Sequence, residues 1–198
     1  MKLGLAVLRI VVGGLFMGHG LQKLAGWFGG HGLHATGQSF EAMGLRPGKM
    51  HAASAGASET AGGTLIAAGL LTPLGASLLS GTMITAIRKV HASHGPWVAE
   101  GGYEYNLVLL AAVFAITDVG PGEWSLDEAL GIRLSGPRWA IAQLAAGAIG
   151  SSAAVALGER QPPQAPPAAA PSPGEPGAGE DRTGTPQPVH DGGRAAQV

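Results

Sequence analysis

Long apolar segments recur along the first 158 residues of the chain, and short polar stretches separate them. A helix needs about 20 mostly apolar residues to cross the hydrocarbon layer of a bilayer. Four segments meet or approach that length, at about residues 3–24, 51–71, 73–90 and 103–118, and a fifth lies within residues 134–158. The pattern predicts an all-α membrane protein, in which a four-helix transmembrane bundle is joined by a fifth, C-terminal transmembrane helix.

The same pattern divides the chain into three parts. Residues 1–133 hold the four-helix core, and residues 134–158 hold the fifth helix. Residues 159–198 are crowded with Pro, Gly and Ala and show no apolar periodicity. Because such a segment cannot bury enough apolar surface to offset its conformational entropy, we expect it to be a disordered tail.

Composition supports a membrane protein and excludes several functions. The chain is 45% hydrophobic and 13% charged, with 34 glycines in 198 residues. Its formal net charge of −1 gives no basic surface for a nucleic acid, so we expect no nucleic-acid partner. Cysteine is absent, which excludes disulfides and thiolate metal sites. Redox chemistry would therefore need a bound cofactor.

Six of the seven histidines fall at one end of the predicted helices, together with Glu59, Arg88 and Glu104. We call this end, where the loop after the first helix lies, the histidine side. From the helical rise, His19 lies roughly 8 Å and Glu59 roughly 12 Å below the membrane boundary on that side. The two side chains are therefore predicted to lie at similar depth.

Glu59 is the most informative of these residues. A lone carboxylate in a membrane helix costs several kcal/mol, so it should be paired, protonated or lining a wet cavity. Its expected partners are His19, Arg88 and Arg9. Two interpretations stay open, an interhelical ion pair that only ties helices and a carboxylate that moves protons or holds a ligand. Arg9 has a structural interpretation of its own, as a partner of Glu59 or of a backbone carbonyl.

The predicted ligand site combines the polar residues that several helices bring to the histidine side. The candidates for contact with a ligand or a quinone are His19, Glu59, Arg88, His91, Glu104 and Tyr105. The supporting residues are Arg9, Gln22, Lys23 and Asn106. We expect His31, His34 and His51 to be solvated at loops or helix ends. No residue is assigned as catalytic, and no metal site is predicted, because the histidine pairs three apart lack a matching carboxylate.

The order and spacing of motifs over residues 3–133 resemble those of the DoxX family of small membrane proteins. The matching residues are Leu8-Arg9, Gly13, Phe16, His19-Gly20, Gln22-Lys23-Leu24, Glu59, Gly62-Gly63, Leu65, Gly69, Arg88-Lys89-Val90-His91, Gly102, Glu104-Tyr105, Gly120-Pro121-Gly122 and Ser125-Leu126-Asp127. The resemblance implies a four-helix membrane core. It also implies a link to quinone-coupled oxidation of sulfur compounds, to thiol and quinone stress, or to complexes with soluble oxidoreductases. The fifth helix and the tail depart from the family pattern.

Three functions remain open from the sequence. The first is an integral membrane subunit of a redox system of DoxX type, in which the polar cluster binds a quinone and the chain is part of a quinone-linked oxidoreductase. The second is a non-catalytic anchor or assembly partner for soluble oxidoreductases. The third is a small-solute carrier, for which no inverted repeat is visible. Haem is not expected, because histidines at helix ends are commonly interfacial.

The interpretation as a membrane protein also predicts the partners and the location of the chain. The expected partners are the lipid bilayer, soluble oxidoreductase subunits and further copies of the chain in a homo-oligomer. The expected location is a bacterial plasma membrane, which the chain crosses several times.

Overall fold

The computed structural model describes residues 3–162, and in this range the chain is helical and contains no β-strand. The all-α fold class is thus confirmed. The described residues form seven α-helices: α1 (Leu3–Ala25), α2 (Gly32–Ala42), α3 (Gly48–Ala68), α4 (Thr72–Ala86), α5 (Glu104–Val119), α6 (Leu126–Ala129) and α7 (Pro137–Glu159). A π-helical turn (Ile87–His91) prolongs α4, and two short 3-10 turns lie between it and α5.

The five predicted apolar segments fall on α1, α3, α4 with its π-helical turn, α5 and α7. The second helix begins and ends three residues earlier than expected, because Gly69 takes a left-handed conformation (φ 64°) that stops α3. Two elements were not predicted, α2 in the loop after α1 and the short α6. The predicted tail falls outside the described residues from residue 163 onward, and its first residue, Glu159, closes α7.

Glycines bring α1 and α3 into close antiparallel contact. A side chain at Gly13 would collide with the backbone of Gly63, and one at Gly20 would collide with the backbone of Gly56. Both helices therefore carry a pair of glycines seven residues apart, which meet across the interface. Small residues of this kind allow helix backbones to approach closely in lipid, where van der Waals packing drives association.

The contact between α4 and α7 is formed by small and polar residues. Ser80 Oγ donates to Gln143 Oε1 at 2.8 Å, and the hydroxyls of Thr85 and Ser151 lie 2.9 Å apart. Residue numbers rise together along both helices in these pairs, so α4 and α7 run parallel. α5 packs against both of them. The C-terminal end of α7 consequently lies at the histidine side with the C-terminal end of α4.

Arg9 binds the end of the bundle opposite the histidine side. Its side chain is 3% exposed and donates to Pro121 O (3.2 Å) and to Trp124 O, both in the loop between α5 and α6. Asp127 adds a favourable electrostatic interaction with the guanidinium. Arg9 therefore joins α1 to this loop through backbone carbonyls, one of the two structural roles that the sequence suggested for it.

Large apolar side chains cover the outward faces of three helices. Exposed examples on α1, α5 and α7 are Leu3, Val7, Ile10, Val11, Leu15, Leu107, Val108, Ile141, Ile149 and Leu157. α1 and α7 are long and apolar enough to cross a membrane. Extended apolar surfaces that no other part of the protein covers mark contact with lipid or with another protein.

Candidate functional site

A cavity of about 540 Å³ lies among α1, α3, α4, α5 and α7 toward the histidine side. Its volume is in the range of about 300–1,000 Å³ that is typical of small-molecule sites. Most of its surface is apolar. Phe40 and Met43, from α2 and the residues after it, and Leu45 form part of the wall. The unpredicted helix α2 thus helps to build the cavity.

An ion pair between Lys23 and Glu59 lies in the cavity wall. Lys23 Nζ is 2.5 Å from Glu59 Oε2, and the side chains are 25% and 6% exposed. The sequence predicted His19, Arg88 or Arg9 as the partner of Glu59 and gave Lys23 only a supporting role. A signal was available, because Lys23 follows His19 by four residues and so lies on the same face of α1.

His19 lines the cavity beside this ion pair, and Gln22 orients it. His19 Nδ1 lies 3.0 Å from Gln22 Oε1, and Gln22 Nε2 donates to Phe28 O at 3.1 Å. The second bond fixes which end of the amide faces the imidazole. Because an amide oxygen only accepts, Nδ1 of His19 carries the proton in the neutral ring. Gln22 itself is outside the cavity lining, so it supports the site without entering it.

His91, Tyr105 and Asn106 line the opposite part of the cavity. The π-helical turn after α4 places His91 there, and its Nδ1 donates to Gly101 O at 2.7 Å. Asn106 is buried, and its amide donates a weak hydrogen bond to Met83 Sδ at 3.4 Å. π-Helical turns are frequent at functional sites because the extra residue shifts the register of the side chains after it.

His51 corrects an expectation, because it was predicted to be solvated and is 7% exposed. α3 begins at Gly48, so His51 lies within its first turn, in the cavity lining. Its Nε2 lies 3.2 Å from Arg46 O, and Gly158 at the end of α7 packs against the ring. The burial of His51 depends on the contact between α7 and residues 45–46. No local sequence pattern predicts this contact.

Besides Gln22, three candidates from the sequence lie outside the cavity lining. Arg88 is exposed and donates to Ser152 of α7 at 3.2 Å. Glu104 starts α5, where its backbone N–H donates to Pro96 O at 2.8 Å. Arg9 binds at the opposite end of α1, as described above. The cavity therefore joins His19, Glu59, His91 and Tyr105 of the predicted ligand residues, with Lys23 and Asn106 of the supporting ones.

Exposed apolar side chains on the outward helix faces, and two helices long enough to cross a bilayer, are features of a membrane protein. The family model of DoxX matches residues 4–92, which run from the start of α1 to just after the π-helical turn. This match supports membership of the DoxX family. Comparisons with the curated proteins and with the solved structures give no match.

Replacing Lys23 by methionine should lower the free energy of unfolding by about 2 kcal/mol, because it strands the buried Glu59 carboxylate. The loss is held to this size by the partial exposure of Lys23. Adding Glu59→Leu to Lys23→Met should restore most of the stability. Unfolding of both variants in mixed micelles, followed by circular dichroism, measures the effect. A double variant less stable than Lys23→Met would contradict this account, and the exposed Lys49→Met serves as the control.

Proposed function

We propose that the cavity at the histidine side binds the headgroup of a quinone, and that the protein is a membrane subunit of a quinone-linked redox system. The observation that carries the proposal is the Lys23–Glu59 ion pair in the wall of an otherwise mainly apolar cavity. A quinone headgroup is a flat apolar ring with two carbonyl acceptors, so it needs this combination of apolar walls and a few polar groups.

The ion pair is not needed to hold α1 against α3. The close glycine contacts at Gly13 and Gly20 already join these helices along two turns. Charges removed from water carry a desolvation cost that their attraction often fails to offset. An ion pair retained beside a cavity, in a contact that is already packed, favours a role in binding or proton transfer.

The polar residues of the cavity wall would have different roles at a bound quinone. The Lys23 ammonium can donate to a carbonyl oxygen of the ring, and the Tyr105 hydroxyl can donate from the other side of the cavity. Glu59 and His19 can hold or pass the protons that accompany reduction. The quinone supplies the redox chemistry when it is bound, and the electrons come from a partner oxidoreductase, because the chain has no cysteine.

The proposal includes a multi-pass topology in a bacterial plasma membrane. α3 has 21 residues, which span about 31 Å at the helical rise. α4 and its π-helical turn together run from Thr72 to His91 and so reach a similar length. With α1, α5 and α7, five helices would then cross the bilayer and bring the histidine side to one membrane face.

The test is binding of a quinone to the purified protein in lipid nanodiscs. Decylubiquinone and menadione are titrated while tryptophan fluorescence is recorded, and lipid co-purified with the protein is extracted and analysed for quinone. We expect binding to wild type and a loss of affinity of about tenfold or more in Glu59→Gln, because the variant removes the charge that orients Lys23. Glu100→Gln, an exposed change on the same side, is the matched control.

Two outcomes would contradict the proposal. One is the absence of quinone in the extract together with no response to either compound. The other is equal binding by wild type and Glu59→Gln.

The second candidate function, an anchor for soluble oxidoreductases, has one observation in its favour. Trp27, Phe28, Trp97 and Val98 are all exposed at the histidine side. Such side chains suit an interfacial belt or a docking surface. For a pure anchor, Glu59→Gln would leave redox tolerance of the cell intact, whereas Trp97→Ala would abolish it.

A further inference from the structure

The cavity continues from the ion pair into a groove between α3 and α7, and α4 forms the floor of this groove. Gly75 and Leu79 of α4 lie against Gly62 of α3, and Ser80 bonds Gln143 of α7. At about 3.6 residues per turn, one face of α4 lies between these two contacts. The residues on that face line the cavity: Leu78, Gly81, Thr82 and Thr85. We call this part of the cavity the α3–α7 groove.

Small side chains form the two walls of the α3–α7 groove. α3 contributes Ser54 and Ser58, and α7 contributes Ala146, Gly150 and Ala154. Ser54, Ala146 and Gly150 are exposed, so the groove opens on the outer surface of the protein, between two helices. In the topology proposed above, this opening faces the hydrocarbon of the bilayer.

At the histidine side, the end of α7 is attached to its neighbours. Arg46 N, in the segment before α3, donates to Gly158 O at 3.3 Å. Lys89 Nζ, in the π-helical turn after α4, is 3.0 Å from Glu159 Oε1. Leu45 lies against Gly158, is 2% exposed and belongs to the cavity wall. These contacts cover the cavity where α7 ends, whereas the α3–α7 groove offers a route to the ion pair from the lipid.

We infer that the α3–α7 groove binds the isoprenoid tail of a lipid-soluble quinone, an inference that rests on the function proposed above. The headgroup would lie at the Lys23–Glu59 ion pair, near the histidine side. From Thr85 to Ser77 the groove runs about 12 Å along α4, away from that side and toward the centre of the bilayer. A tail attached to a headgroup at the ion pair must run in the same direction.

The floor of the groove suits a hydrocarbon chain. The hydroxyls of Ser77, Thr82 and Thr85 each donate to a carbonyl of α4, at 2.7, 2.9 and 2.8 Å. Because a hydroxyl has one proton, these donors are already used within the helix, and burying them under a tail leaves none of them without a partner. The small walls leave room for the methyl branches of an isoprenoid chain.

The experiment fills the groove and compares two ligands that share a headgroup, decylubiquinone and the tailless benzoquinone ring of ubiquinone. A Cβ at Gly150 would meet nothing within 4 Å, so Gly150→Leu is accommodated and its side chain occupies the groove. Binding to the full chain in nanodiscs is followed by tryptophan fluorescence. Gly150→Leu should weaken decylubiquinone about tenfold, the effect of losing burial of about two CH₂ groups. Affinity for the tailless ring should not change.

Gly14→Leu is the matched control, because a Cβ there also meets nothing within 4 Å and Gly14 is outside the cavity lining. It should bind both ligands as wild type does. Ser54→Leu narrows the groove from the other wall and should reduce the affinity for decylubiquinone alone, as Gly150→Leu does. The tailless ring reports in each variant that the headgroup site is still folded.

Three outcomes would overturn the inference. If Gly150→Leu weakened both ligands equally, the groove would not be a site for the tail, and the proposed function would stand. If Gly150→Leu kept its affinity for decylubiquinone and lost a co-purified phospholipid, the groove would hold a lipid chain instead. Failure of wild type to bind either ligand would remove the proposed function and this inference together.

Discussion

Replacing Gly13 by alanine is expected to lower the free energy of unfolding by about 3 kcal/mol, the upper part of the range for overpacked sites. The added methyl group would collide with Gly63 O and Ala67 N, which are backbone atoms of α3. A helix backbone cannot yield as the end of a flexible side chain can. The two helices must therefore move apart, which also loosens the contact at Gly20 and the Lys23–Glu59 ion pair near the end of α1.

The neighbouring residue provides the control. A Cβ at Gly14 would meet nothing within 4 Å, so Gly14→Ala should leave stability unchanged or raise it slightly through helix propensity. Unfolding in mixed micelles by added SDS, followed by circular dichroism, measures the free energy of unfolding of both variants. Equal effects of the two substitutions would mean that the α1–α3 contact is not as close as described.

The sequence predicted the helices that are long and mainly apolar, and it missed the two short helices. α1, α5 and α7 are long apolar runs with clear ends. The sequence does not predict α2, because its segment, GLHATGQSFEA, is short and mixes glycines with polar residues. It packs on α1 and α3, and this tertiary contact stabilises it. The local sequence does not indicate such a contact.

In the candidate site, too, the sequence predicted some of the residues correctly and others wrongly. Depth along the helix placed His19 and Glu59 at one level, and both line the cavity. Arg88 was expected with them because it leaves α4 at the histidine side. The π-helical turn adds a residue to the local repeat, which corresponds to a rotation of about 100°. Lys89 and His91 therefore line the cavity, and Arg88 bonds α7. A π-helical turn has no dependable sequence signal.

The opposite end of the bundle depends on a residue that the sequence showed only as part of a family motif. Asp127 is 2% exposed, and its carboxylate accepts from Leu71 N (2.8 Å), Thr72 N (3.2 Å) and Thr72 Oγ1 (2.8 Å). These donors are at the start of α4, where backbone N–H groups have no partner within the helix. Asp127 therefore caps α4 from the distant α6, and it also faces the buried Arg9.

Asp127→Ala is accordingly expected to lower the free energy of unfolding by about 4 kcal/mol. Two backbone N–H groups lose their acceptor, at about 1–3 kcal/mol each, and the Arg9 guanidinium loses a nearby anion. Asp127→Asn should fall between wild type and alanine, because its amide keeps one acceptor oxygen and replaces the other with a donor.

Glu128→Ala is the matched control for the Asp127 series, since it removes the same charge from the next, exposed residue. It should change the free energy of unfolding by less than about 0.5 kcal/mol. Thermal unfolding of the three variants and wild type in one detergent measures the order of their stabilities. If Asp127→Ala and Glu128→Ala were equally stable, α4 would keep its start without the carboxylate. The turn between α3 and α4 would then be held by its backbone alone.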